Sequence, residues 1–270
     1  MKKFAIVLAA ALALAATVAT AEESAVQASL SGDILSAYIS RGQVLNKEPV
    51  FQPNFWVGLP FGFEFNIWAN MDLTDSDSSC DPQSGWKWTE FDLEPIYNVP
   101  VPGFDLQVGA VYFTYPQADA DNDYDVYVKA AKEFEINDRL TVKPSLRFQH
   151  RLSNTDDWYL QAIVSPSYAL GSCAGCPVTL GADFELGYAG SYYVNHSYCS
   201  KDKAAFSHAQ VTGKLGVGLT DKFTVGIKGG YSTVIDSDMR DDMRAADEEG
   251  NKPYPAIDYG FGGVYFNYDF

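Results

Sequence analysis

Three histidines, four cysteines and two acidic runs are the residues whose chemistry could define a site in this chain of 270 residues. A lipid-cleaving or acyl-transferring enzyme would need a His-activated Ser. The histidines are His150, His196 and His208, and only His150, with nearby Ser153, suggests such a pair. Asp119, Asp121, Asp123 and Asp125 alternate like the start of a calcium loop. Tyr124 stands where the sixth-position glycine belongs, and Ala130 where the twelfth-position Glu belongs. That excludes an EF-hand and favours a solvated acidic loop over a weak calcium site. The second run, with Asp236, Asp238, Asp241, Asp242, Asp247, Glu248 and Glu249, reads the same way. Cys173 and Cys176 sit in Cys-Ala-Gly-Cys, but a redox role would want a βαβ setting that this sequence lacks. The expectation is no catalytic residue, no metal site and no cofactor.

The elements that position these groups begin with an export signal. Lys2-Lys3 precede an apolar run from Phe4 to Val18 and a small-x-small site, Ala19-Thr20-Ala21. This is a secretory signal peptide over 1–21, too short to span a membrane as an anchor. The mature domain is 22–270. The net charge of −16 becomes −18 once the two signal lysines are gone, which argues against a nucleic-acid partner. With 47% hydrophobic and 14% aromatic residues the chain is globular, and no later stretch is a membrane helix.

The mature chain alternates with a period of two, the signature of half-buried strands. Twelve are expected, at about 26–41, 49–59, 62–74, 87–99, 103–115, 123–134, 139–152, 157–170, 177–194, 204–219, 222–235 and 254–270. In the seventh, Leu140, Val142, Pro144, Leu146, Phe148 and Leu152 oppose Thr141, Lys143, Ser145, Arg147, Gln149 and Arg151. Short turns follow the even strands and longer polar connections follow the odd ones. That layout, with an even strand count, is the transmembrane up-and-down antiparallel β-barrel, with both termini in the periplasm.

A soluble barrel would be apolar inside and charged outside. Here the apolar faces carry almost no ionised group; Lys132 and His150, near strand ends, are the exceptions. A midplane Arg or Lys on a lipid face costs about 2–4 kcal/mol, which explains the vacancy. The charged faces then line the lumen. Glu64, Asp72, Glu90, Asp92 and Glu94 form an acidic wall, and Lys143, Arg147, Arg151, Lys214 and Lys228 form basic ladders. Asp183, Glu185 and Arg41 complete the expected pore lining. Opposed walls would set a transverse field across an open pore, or pair and fill a closed one. Trp56, Trp68 and Tyr159 favour a narrow lumen, and His196 and His208 read as a loop residue and a lumen polar group.

In the last strand Phe266, Tyr268 and Phe270 alternate with Asn267 and Asp269. This end resembles the closing strand of Gram-negative outer-membrane barrels, where a C-terminal Phe and alternate aromatics serve as the assembly signal. The resemblance implies recognition by the barrel-assembly machinery. Ile257, Tyr259 and Phe261 have the opposite parity, so a bulge at Gly260 or Gly262-Gly263 is expected to switch faces. The segment Ser36-Ala37-Tyr38-Ile39-Ser40-Arg41-Gly42, followed by Lys47-Glu48-Pro49-Val50-Phe51-Gln52-Pro53, resembles a family of uncharacterised bacterial surface proteins. Their first strand ends in Tyr-x-x-Arg-Gly, and the resemblance implies a porin-like outer-membrane barrel without naming a substrate. Arg41 is expected to pair with a lumen carboxylate, Asp72 in the first instance. The twelve-strand outer-membrane phospholipases place His and Ser two apart, whereas Leu152, Tyr198 and Gln210 follow the histidines here.

An oxidising compartment makes disulfides the default. Cys173–Cys176 would close one inner turn, and Cys80–Cys199 would tie two outer loops. The acidic loops could share divalent cations with lipopolysaccharide phosphates. Together these readings describe a monomeric outer-membrane channel for ions or small polar solutes. The alternatives are a closed structural or adhesive barrel with partner-binding loops, and a lipid-modifying enzyme. Mass spectrometry of the protein purified from membranes is expected to place its N-terminus at Glu22; an intact Met1 would overturn the signal assignment.

Overall fold

The alternating segments form strands because each can bury one face only by pairing with neighbours on both edges. The computed structural model describes residues 26–74, 85–117, 121–152, 156–248 and 256–270; the signal segment and Cys80 lie outside them. The strands are β1 (Gln27–Leu35), β2 (Tyr38–Ser40), β3 (Gln43–Asn46), β4 (Val50–Gly58), β5 (Phe63–Asp72), β6 (Lys87–Val99), β7 (Asp105–Thr114) and β8 (Asp123–Ala131). They continue as β9 (Phe134–Asn137), β10 (Leu140–Arg151), β11 (Asp157–Cys173), β12 (Cys176–Ala189), β13 (Ala205–Thr220), β14 (Phe223–Val234) and β15 (Asp258–Asp269). One α-helix, α1 (Ser237–Glu248), lies between β14 and β15.

Thirteen strands share one antiparallel sheet that closes on itself, successive staves pairing in turn, β10 with β11 among them, and the last strand β15 pairing with the first, β1. Because β8 and β9 pair with successive parts of β10, they act as one stave, and the result is a closed twelve-strand barrel. The last strand zips against β1 from Ser29↔Asp269 to Leu35↔Gly263 and against β14 from Phe223↔Tyr268 to Thr233↔Asp258. Both registers run without interruption, so the expected bulge in β15 is absent. Tyr259, Phe261 and Tyr265 point inward instead, and the wall beside them is glycine. A side chain at Gly226 would strike the Tyr265 ring, and one at Gly230 the Phe261 ring.

Two expected strands overrun their observed ends. The first stops at Leu35, and residues beyond it make the separate hairpin β2–β3. The ninth stops at Ala189 and passes into a helical turn, Tyr193–Ser197, and the second acidic run is largely helix α1. The Cys173–Cys176 disulfide is also corrected: both thiols are free, as is Cys199. Those two cysteines face one another across a two-residue turn in which Ala174 and Gly175 have φ of 51° and 86°. The twisted ladder and its left-handed turn close that hairpin without a covalent bond.

Aliphatic and aromatic side chains cover the outside. Leu146, Phe148, Val164, Phe184, Ile227 and Val264 are all exposed, although each sits in the middle of a paired strand. Lys132, at the rim that carries the short turns, lies over the rings of Phe104 and Phe134 at 5.1 and 5.3 Å, which shields its charge where the belt ends. Ile227 is 58% exposed, so Ile227→Arg would be harmless on a wetted surface. In a lipid-facing belt it is expected to lower refolding stability in vesicles by about 2–4 kcal/mol, read from urea titration.

Candidate functional site

The site begins with the short hairpin that the first strand releases. β2 and β3 are joined by Arg41 and Gly42, with φ of 50° and 79°, a two-residue turn with both residues left-handed. Glycine adopts this freely and arginine does not, so other contacts must hold the turn. The hairpin folds into the barrel: Ala37 and Val44 are buried, and Tyr38 packs on Trp68 of β5 with ring centroids 5.5 Å apart. Gly42 seats on His208 of β13 so closely that a methyl group would overlap the imidazole.

Arg41 reaches across the lumen from that tip. Its guanidinium donates to Tyr193 and pairs with Asp125 of β8 at 3.4 Å, and Tyr198 donates to its carbonyl. The rings of Tyr159 and Tyr193 lie 5.0 and 5.2 Å from it. Burial disfavours the charge, but Tyr193, Asp125 and Tyr159 outweigh it, and the pKa of Arg41 rises. The expected partner Asp72 is thus replaced by Asp125, because the turn projects across the barrel rather than along its own wall. Arg151 braces the same centre, lying 2.8 Å from Asp123 and donating to Tyr193 at 2.9 Å. Tyr38 donates to Glu90 at 2.7 Å, and burial together with Glu90 and Asp92 holds its phenol well above the usual pKa.

The longer connections, at the rim away from the short turns, cover this centre. Tyr193, Val194 and Tyr198 pack with Met239 of α1 and with Tyr159, Ala189, Ala205 and Val234 in one buried cluster. Ser200 donates to Asp242 at 2.6 Å, and Lys203 lies 2.8 Å from Asp238, so α1 is tied to the connection after β12. Tyr193 is in turn fixed by its backbone N–H, which donates to Asp157 at 2.6 Å. The half of the lumen next to these longer connections is therefore packed.

The half beside the short turns holds a chamber. One cavity of about 330 Å³ is walled by Lys129, Lys143, Ser145, Ser165, Asp183, Glu185, Gln210 and Thr212. A second, of about 200 Å³, lies under the hairpin beside Ala37 and Ile39 and shares Asp183, Gln210 and Thr212 with the first. Ion pairs tie its walls together: Arg147 of β10 meets Glu94 of β6 at 3.3 Å, Lys143 meets Asp105 at 2.8 Å, and Lys228 and Lys214 hold Asp33 and Asp183.

Of the residues singled out from the sequence, Asp72, Glu90, Asp92 and Arg151 face the packed half of the lumen with Arg41. Glu64, Glu94, Lys143, Arg147, Asp183, Glu185, Lys214 and Lys228 face inward around the chamber or below it, by the alternation of their strands. Asp123 and Asp125 are inward strand residues in contact with Arg151 and Arg41, not solvated loop acids. Lys129 has the same inward parity and could have been found from the alternation of β8. No local pattern marks Tyr193 and Tyr198.

His150 faces outward and contacts Asp156 at 3.0 Å; Ser153 lies outside the described residues. His208 has Ser207 at 3.1 Å on Nδ1 and Glu185 at 3.0 Å on Nε2, the parts of a nucleophile relay. Ser207 and His208 have no exposed surface, and Gly42 caps the imidazole, so the trio acts here as the seat of the hairpin.

No family model and no curated protein matches this chain, so the likeness of Tyr38–Gly42 to uncharacterised surface proteins stays a resemblance. Solved structures do match. The NanC porin aligns at a TM-score of 0.50 and 12% identity, over 89% of this chain and 98% of that one. LpxR from Salmonella typhimurium aligns at 0.50 and 9% identity, over 90% of this chain and 100% of that one. The KdgM porin gives 0.47 at 12% identity, over 90% and 99%. At these identities the likeness to the first two fixes the fold, a barrel of the outer-membrane type, and leaves the activity to the residues inside.

Gly42→Val would place a β-branched residue at φ 79° against His208. It is expected to cost the seated hairpin at least about 1–2 kcal/mol and to unseat it. Trypsin added to folded protein in micelles should spare Arg41 in the wild type and cut after it in the variant; equal resistance would place the tip elsewhere.

Proposed function

We propose that this chain is a narrow outer-membrane channel for ions or small polar solutes, constricted from the outside by the Arg41 hairpin. The observation that carries the reading is the inner chamber of about 330 Å³ with both signs of charge on its wall. A barrel meant only as a support could fill that space with packed side chains, as smaller barrels do. Opposed Lys and Asp or Glu residues across a water-accessible lumen orient polar solutes. The apolar belt supports insertion in lipid. With the short turns on the periplasmic side, both termini lie there, and the strand ending at Phe270 is offered to the assembly machinery. The barrel works as a monomer among outer-membrane lipid and lipopolysaccharide, without a nucleic-acid partner. It is not read as an enzyme, since Ser207 and His208 are sealed beneath Gly42.

The packed outer half favours a second reading, a closed barrel whose connections bind a surface partner; Tyr198 and Met239 are almost fully buried there. Planar-bilayer recording separates the two. Wild-type protein is expected to give small, salt-dependent steps, and Arg41→Ala to enlarge them about two- to tenfold by freeing the tip, the range that follows from losing about 0.5–1.5 kcal/mol of tether. A silent membrane holding folded wild type and folded Arg41→Ala would sink the channel reading in favour of the closed barrel.

A further inference from the structure

Lys129 is a cation of the chamber that has no ion-pair partner of its own among the described residues. The groups around it are engaged. Lys143 pairs with Asp105, Arg147 with Glu94, Lys214 with Asp183, and Glu185 with His208. Lys129 makes no hydrogen bond or ion pair with a described residue. Its surroundings are adverse as well. The β8–β10 register sets it directly opposite Arg147, and Lys143 lines the same cavity. Like charges directly opposite on paired strands destabilise a sheet.

The fold does not need an ammonium group at this position. The neighbours of Lys129 on the inward face of β8 are Tyr127 and Ala131, so an uncharged side chain would suit the wall. Ser145 stands between Lys143 and Arg147 on the inward face of β10, pairs in register with Ala131, and also makes no hydrogen bond with a described residue. The corner thus presents an unpaired ammonium and a free hydroxyl, flanked by two further cations, to a cavity of about 330 Å³. The acids that share the cavity, Asp183 and Glu185, are already held by Lys214 and by His208 and Gln161. A donor-rich corner of this kind recognises an oxyanion through charge-assisted hydrogen bonds.

We propose that Lys129 and Ser145 form a subsite for a small oxyanion, a carboxylate or phosphate group, carried by a solute in the inner chamber. The cavity is near the lower end of the range of ligand pockets, so the solute is small. As a statement about what passes through the barrel this rests on the channel reading; as a statement about binding it stands by itself.

Isothermal titration of the refolded full-length protein in detergent micelles tests it, with sodium acetate and inorganic phosphate titrated separately at constant ionic strength against chloride. Saturable binding of at least one is expected, and which one separates the carboxylate from the phosphate source. Lys129→Met should weaken it by about tenfold or more and Ser145→Ala by about fivefold. Lys129→Gln replaces Met if that variant fails to show the folded gel mobility. Absence of binding by wild type, or undiminished binding in the Lys129 variant, would overturn the subsite. Protein that binds but does not conduct would sink the channel and leave the subsite, whereas protein that conducts without binding would do the reverse.

Discussion

A polypeptide in lipid must satisfy every backbone N–H and C=O from within, and for strands only a closed sheet does so. The pairing of β15 with β1 is where this chain meets that requirement. Closure ties Phe270 to Ala28 through a backbone hydrogen bond at 3.0 Å and leaves no open edge. Once the sheet is closed, the period of two does the sorting. Each strand sends one face to the apolar surroundings and the other to the lumen, so every ionised group of the strand interiors has a common destination.

That confinement explains why the lumen is rich in paired charges. A cation such as Arg147 cannot leave the interior and finds Glu94 at 3.3 Å and the Tyr127 ring at 3.7 Å. Charges cluster by strand, and the bridges join nearby staves: Lys214 of β13 to Asp183 of β12, Lys228 of β14 to Asp33 of β1, and Arg147 of β10 to Glu94 of β6. The same confinement draws the first connection inward. Arg41, too polar for the belt, lies among Asp125, Tyr193 and Tyr159 and turns a surface loop into a plug. The lumen is then divided: a packed half, held by apolar contacts between α1 and the connection after β12, and a chamber in the half beside the short turns.

The alternation along each segment was enough to mark the staves to within a few residues at most ends, because strand parity is a local property and lipid penalises every charge on the outer face. It also put the acidic and basic ladders on one side of the wall. Where local pattern misled, a long-range contact was responsible. The parity break in β15 looked like a bulge; in three dimensions its inward aromatics fill the space over Gly226 and Gly230. The Asp119–Asp125 alternation looked like a loop, yet Asp123 and Asp125 are strand residues held by Arg151 and Arg41. Tyr198 stands 157 positions from Arg41 and fixes its carbonyl.

The sequence by itself determined the class of this protein: a chain of twelve alternating strands, apolar on one face and charged on the other, ending in aromatics. Period and transfer energy act residue by residue and can be read in order. Only the tertiary structure decided which charge meets which, that the Tyr-x-x-Arg-Gly segment is the tip of an inward hairpin, and that Lys129 has no ion-pair partner among the described residues. Those outcomes depend on the path of connections across a closed barrel and on distances between strands remote in the chain, which no local spacing encodes.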